Sequence, residues 1–166
     1  MAKPGQAYNS QPKGVNMQSQ IDMIKMCNQF QSTVDRLIEI NRMQEKYYKP
    51  LLKHSMVPEL YVMEFCTVGV DAGRMIGKTT YIREHANKDS LIIIPANEIR
   101  VFSYNKNIAT VLSSKQVKNG NARNKVFTTI YVDDPFWVFK DISKEELYRE
   151  LANKYVDQLF ILLGNM

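Results

Sequence analysis

Cysteine is scarce: Cys27 and Cys66 are the only two in 166 residues. They lie too far apart for a C-x-x-C pair or a zinc spacing, so both read as buried thiols in a reducing compartment. His54 and His85 are isolated, which argues against a histidine metal site or nucleophile pair. No run of about 18 apolar residues occurs, and the first residues lack the apolar core of a signal peptide. The expectation is a cytoplasmic protein with no membrane partner. A further absence is local. From 105 to 125 there is no acidic residue, while Lys106, Lys115, Lys118, Arg123 and Lys125 fall there.

What is present suits one domain with a buried core. Hydrophobic residues make up 45% and charged residues 23%, and the net charge of +5 permits an anionic partner without requiring one. Residues 1–16 are rich in Gly, Pro, Gln and Asn and read as a flexible arm. From Met17 to Tyr48 there is no Pro or Gly, and Met23, Cys27, Phe30, Val34 and Leu37 recur at gaps of four and three. That spacing predicts an amphipathic helix, the main part of an N-terminal helical extension over 17–57. It packs on its own domain or serves as a partner helix.

Residues 58–166 alternate apolar runs with polar, helix-prone ones. Strands are expected at Phe65–Val70, Ser90–Ile94, Arg100–Tyr104, Val126–Val132 and Gln158–Leu163. Ser143 with Glu146 forms a capping box that opens a helix running to about Tyr155. This order predicts an α/β fold with a mainly parallel sheet.

The chemistry is concentrated after the first strand, in Ala72-Gly-Arg-Met-Ile-Gly-Lys-Thr-Thr80. A strand that empties into a small-residue loop and then a helix makes a phosphate cradle, because backbone N–H groups and the helix dipole converge on an anion. In that pattern Ala72, Gly73, Arg74, Met75, Ile76, Gly77, Lys78, Thr79 and Thr80 surround the phosphates. Lys78 supplies a point charge and Thr79 a hydroxyl for Mg²⁺. Ala72 stands where the pattern has its first glycine. A second ligand is expected from an acidic strand end, and Thr129-Ile-Tyr-Val-Asp-Asp134 has that form. Asp133 would hold Mg²⁺ and Asp134 would orient or deprotonate water. The alternative is a solvated Asp-Asp-Pro turn. Phe136 and Trp137, just beyond, read as packing residues.

These residues resemble a P-loop NTPase of the additional-strand group. The segment Gly73-Arg-Met-Ile-Gly-Lys-Thr-Thr80 is similar to the ATPase motor of phage terminase large subunits and helicase-like enzymes. The resemblance implies a three-layer P-loop NTPase-like domain that uses ATP and Mg²⁺. It also implies Arg74 as a cis arginine, Ile130–Asp134 as the Walker B strand and Asn165 as a sensor at the tip of the following strand. It departs from the pattern in lacking a Walker B glutamate and an assignable trans arginine finger. A neighbouring subunit or assembly partner would then complete the ATP site.

Three functions follow as expectations. The first is an ATPase acting on or with nucleic acid, a packaging, helicase-like or loader-type accessory that would work in the host cytoplasm if phage-encoded. Lys106, Lys115, Lys118, Arg123 and Lys125 are its candidate nucleic-acid contacts, flanked by Tyr104 and Phe127. The second is a non-catalytic nucleotide-binding assembly protein that uses its N-terminal helix. The third is a small nucleotide kinase, disfavoured because the late basic residues Lys144, Arg149 and Lys154 are diluted by acids.

Overall fold

The longest proline-free and glycine-free stretch of the chain forms its longest helix. In the computed structural model, which describes residues 17–73, 76–96 and 107–166, α1 spans Met17–Leu52. The expected flexible arm, the strand at Arg100–Tyr104, Arg74, Met75 and Lys106 lie outside the described residues. α1 runs past Tyr48 with Pro50 inside it. So close to the helix end, the ring forfeits a single backbone bond.

After α1 come α2 (Pro58–Phe65), β1 (Thr67–Val70), α3 (Lys78–His85), β2 (Ser90–Ile94), β3 (Thr110–Ser113), α4 (Ser114–Lys118), β4 (Thr129–Asp133), α5 (Pro135–Val138), α6 (Lys144–Leu151) and β5 (Leu159–Leu163). Two expectations shift. Phe65 ends a helix instead of opening the first strand, because Pro58 sits at its favoured first helical position and Tyr61 and Val62 face the core at helical spacing. The helix opened at Ser143 stops at Leu151, short of Tyr155; its capping box is formed as expected. A second capping box, Ser113 with Gln116, opens α4.

The described strands make one sheet in the order β1-β5-β4-β2-β3, and every pair is parallel. Helices lie on both faces. Leu91, Ile93, Ile130, Val132, Phe160 and Leu162 meet α2, α4, α5 and α6 on one side. Ile92, Ile94, Tyr131, Ile161 and Leu163 meet α1 and α3 on the other, through Phe30, Val34, Tyr81 and Ile82. Strands covered on both faces are apolar nearly throughout, which is why residues 91–94 of β2 and all of β5 read as unbroken runs; the buried Ser90 that opens β2 is hydrogen-bonded to Asn87. Each such side chain contributes about 1.5–3 kcal/mol, against about 1 kcal/mol for a helix cap. The three central strands therefore hold the fold.

α1 is part of a layer as well as an extension. Tyr81 donates its hydroxyl proton to Asp35 at 2.8 Å, and Gln31 donates to Glu84 at 2.7 Å. Both contacts fix α1 to α3, the helix that begins at Lys78. β1 is an edge strand, and Asn41 of α1 donates to the Thr67 carbonyl at 3.4 Å along that edge. No described helix is long and apolar enough to cross a membrane.

Candidate functional site

A parallel sheet brings all its carboxyl ends to one side, and α/β folds bind ligands in the crevice there. At this end β1, β5 and β4 are neighbours, and backbone bonds join the segments that leave them. Gly164 N–H donates to the Val70 carbonyl at 3.0 Å, Asp134 N–H to Leu163 at 3.0 Å, and Phe136 N–H to Asn165 at 2.8 Å. The glycine loop and the acidic strand end are thereby held in register across β5.

Lys78 is the first residue of α3 and Gly77 its N-cap, with φ of 95°. That left-handed conformation favours glycine, and a Cβ there would also lie 3.1 Å from Cys27 Sγ of α1. No side chain caps the start of this helix, where first-turn N–H groups lack intrahelical partners. Lys78 Nζ donates to Asp134 Oδ1 at 2.7 Å and to the Ala72 carbonyl at 3.4 Å. The lysine is only 8% exposed, so its charge acts in a site with little water. Ala72 is partly buried and packs against the apolar cluster on the α3 side of the sheet.

Asp133 ends β4 fully buried, and Asp134 begins the next turn at φ 54°, a left-handed conformation that Asp tolerates better than most residues. The strand thus parts its two acids: one carboxylate is inside and the other reaches the lysine. Thr79 is half-buried at the start of α3, while Gly73 and Thr80 are exposed. Burying a carboxylate costs several kcal/mol unless hydrogen bonds or a cation offset it. Among the described residues no three His, Cys, Asp or Glu side chains cluster to hold a metal alone. A metal here would be shared by Thr79, Asp133, phosphate oxygens and water, which suits Mg²⁺.

Gly164 was not singled out in the sequence. A Cβ on it would fall 2.6 Å from Asp134 Oδ1 and 3.0 Å from Lys78 Nζ, and its φ is +133°. The only signal for it was a glycine directly after a buried strand. Gly164→Ala is expected to cost roughly 1–3 kcal/mol of stability, through backbone strain and the displaced ion pair. A urea melt checks this; an unchanged midpoint would contradict the packing described. Asn165, the expected sensor, is exposed, and its backbone carbonyl is held by α5.

The basic candidates divide. Lys115 and Lys118 lie on α4, whose start at Ser114 directly follows the carboxyl end of β3. Arg123 and Lys125 belong to the return segment that leads to the amino end of β4. Arg123 donates two hydrogen bonds to Glu150, at 2.9 and 2.8 Å, which offsets its charge. That pair lowers the Glu150 pKa and raises that of Arg123. Arg123 is thus an exposed ion-pair partner of α6. Phe127 is buried and offers no stacking face.

Phe136 and Trp137 also need correction. Pro135 and Val138 do the packing of α5, while Phe136 is 45% and Trp137 49% exposed. A one-turn helix cannot bury all four of its apolar residues against a single sheet face.

The two thiols differ. Burial pushes the Cys66 pKa up to about 12, so the reactive thiolate is scarce at about pH 8. Cys27 is half-buried against Gly77. Ellman's reagent is expected to titrate Cys27 alone in the native protein and both thiols in denaturant; rapid reaction of Cys66 in the native protein would contradict its burial. Searches of protein-family models, curated proteins and solved structures returned no match.

Proposed function

We propose that the chain binds ATP with Mg²⁺ at the carboxyl ends of β1, β5 and β4 and hydrolyses it, acting on or with nucleic acid. One observation carries this reading: the 2.7 Å contact between Lys78 and Asp134, 56 positions apart in the chain. It supports a single site made from the glycine loop and the acidic strand end, against the alternative that Asp-Asp-Pro is a solvated turn.

In this reading the N–H groups of the first α3 turn and the Lys78 ammonium bind the β and γ phosphates. Thr79 and Asp133 would hold Mg²⁺, which when bound would offset negative charge on the phosphate oxygens. Asp134 orients a water and accepts its proton as the water oxygen bonds to the γ phosphorus. The bond from that phosphorus to the bridging oxygen breaks, and ADP leaves with the electron pair. Gly164 keeps the space between Lys78 and Asp134 clear. Arg74, as a cis arginine, belongs to the proposal through the resemblance alone. β5 lies between the loop strand and the acidic strand, where an additional strand carrying a coupling residue belongs.

Phosphate release measured with and without single- and double-stranded DNA tests the proposal. Turnover that rises with DNA supports it, and no release under any condition contradicts it. A second reading, assembly through α1, is favoured by the exposure of Ile40, Met43, Tyr47 and Leu51 at gaps of three and four. It predicts ATP binding without hydrolysis and an oligomeric mass in light scattering.

A further inference from the structure

We propose that α5 carries a base-stacking platform for single-stranded nucleic acid, built from Phe136, Trp137 and Lys140, with Lys115 and Lys118 of α4, the helix held to Asp141, supplying further positive charge. The proposal deepens the nucleic-acid part of the function above, and only its coupling to hydrolysis rests on the nucleotide reading. The rings of Phe136 and Trp137 stand edge to face, 5.3 Å apart at 84°. Each is nearly half exposed at a place where Pro135 and Val138 anchor the helix beneath. Two neighbouring exposed aromatics form an apolar surface that a nucleobase can cover, and stacking on it is tolerant of sequence because every base has a π-face.

The charge around this surface selects the occupant. Lys140 Nζ lies 3.8 Å from the Trp137 ring centroid and 4.4 Å from that of Phe136. It is held by π-faces, so its charge is not cancelled by a carboxylate among the described residues. α4 is fixed against the same segment. Ser114 Oγ donates to Asp141 Oδ2 at 2.6 Å, and Lys118 Nζ donates to the Asp141 carbonyl at 2.9 Å. Asp141, the acid nearest this cluster in the chain, is thus occupied by the Ser114 hydroxyl. Lys115 and Lys118 are exposed on α4, the helix held to Asp141, one residue beyond Lys140. Aromatic faces interleaved with lysines match a strand whose bases are free to stack and whose phosphates are negative. In a duplex the bases already stack on each other, so the rings have nothing to cover.

The platform also adjoins the phosphate site. Asp134 is the N-cap of α5, and the Phe136 N–H is bonded to Asn165, next to Gly164. A base that moves α5 would move the carboxylate paired with Lys78, giving strand binding a short route to the reacting water.

Trp137 is the only tryptophan, so its emission reports the platform directly. The full chain is titrated with an oligodeoxythymidylate of about 15 nucleotides, a length within the range such sites occupy. Duplex of equal length, inorganic polyphosphate and ATP are the comparison arms. The expected result is saturable quenching by the single strand, weaker quenching by duplex and none by polyphosphate. In anisotropy with a labelled oligonucleotide, Phe136→Ala and Trp137→Ala should each weaken binding about ten-fold, while Lys115→Gln with Lys140→Gln should flatten the salt dependence. Equal quenching by polyphosphate, or unchanged affinity in a folded Phe136→Ala/Trp137→Ala double variant, would overturn the proposal; quenching by ATP in a variant that keeps the strand-induced change is the coupling read from the other side. Lys78→Ala should keep the strand-induced quenching. If the wild type binds no ATP yet is quenched by the strand, the nucleotide reading fails and the platform stands.

Discussion

Lys78→Ala is expected to lower ATP affinity by at least a hundred-fold and to remove hydrolysis. The ammonium is the one side-chain cation found inside the described part of the site, and its low exposure makes each charge-assisted bond worth about 1.5–3 kcal/mol. Bonds to two phosphates together exceed the roughly 2.7 kcal/mol that a hundred-fold change requires. The substitution has a second effect, because it takes the counter-ion from Asp134, whose side chain is only 17% exposed. Some loss of stability is therefore expected, and circular dichroism must accompany the binding measurement. Lys78→Ala combined with Asp134→Asn separates the two effects. The double variant should regain stability by removing the carboxylate's charge, yet still bind no ATP. Recovery of binding in it would place the phosphates elsewhere.

Asp134→Asn is expected to slow hydrolysis by about a hundred-fold to ten-thousand-fold, the usual contribution of a positioned base. Binding should be retained and tightened, since Asp134 and the phosphates compete for the same ammonium. A variant that only held structure would lose affinity and turnover together. The split between affinity and turnover is therefore diagnostic. Wild-type turnover in Asp134→Asn would move the base to another residue or to a partner chain.

The sheet was legible wherever burial on both faces left no polar position. Residues 91–94 and Leu159–Leu163 announce themselves as unbroken apolar runs, and Ser143 with Glu146 marks a helix start. The strand Thr110–Ser113 was not anticipated, because it is a short, half-buried edge strand inside a lysine-bearing segment. α2 was missed for a different reason: its apolar stretch, residues 60–63 between Glu59 and Glu64, is too short to assign to helix or strand from periodicity alone. At the candidate site, residue type and order single out Lys78, Thr79, Asp133 and Asp134. What pairs with what was not visible, because the Lys78–Asp134 contact depends on the strand order and on the left-handed turn at Asp134. Gly164 escaped notice because its role is to leave space. Phe136 and Trp137 were assigned to packing because hydrophobicity alone does not reveal that Pro135 and Val138 already fill the available face.

The central claim is that Lys78, Thr79, Asp133 and Asp134 form a Mg²⁺-dependent ATP site. Equilibrium titration of the full chain with a fluorescent ATP analogue, with Mg²⁺ and with EDTA, tests it most directly. The account predicts one saturable site per chain, tighter with Mg²⁺, emptied by unlabelled ATP and lost in Lys78→Ala. Absence of saturable binding up to about 1 mM, where binding free energy is only about 4 kcal/mol, or equal binding by Lys78→Ala, would contradict it.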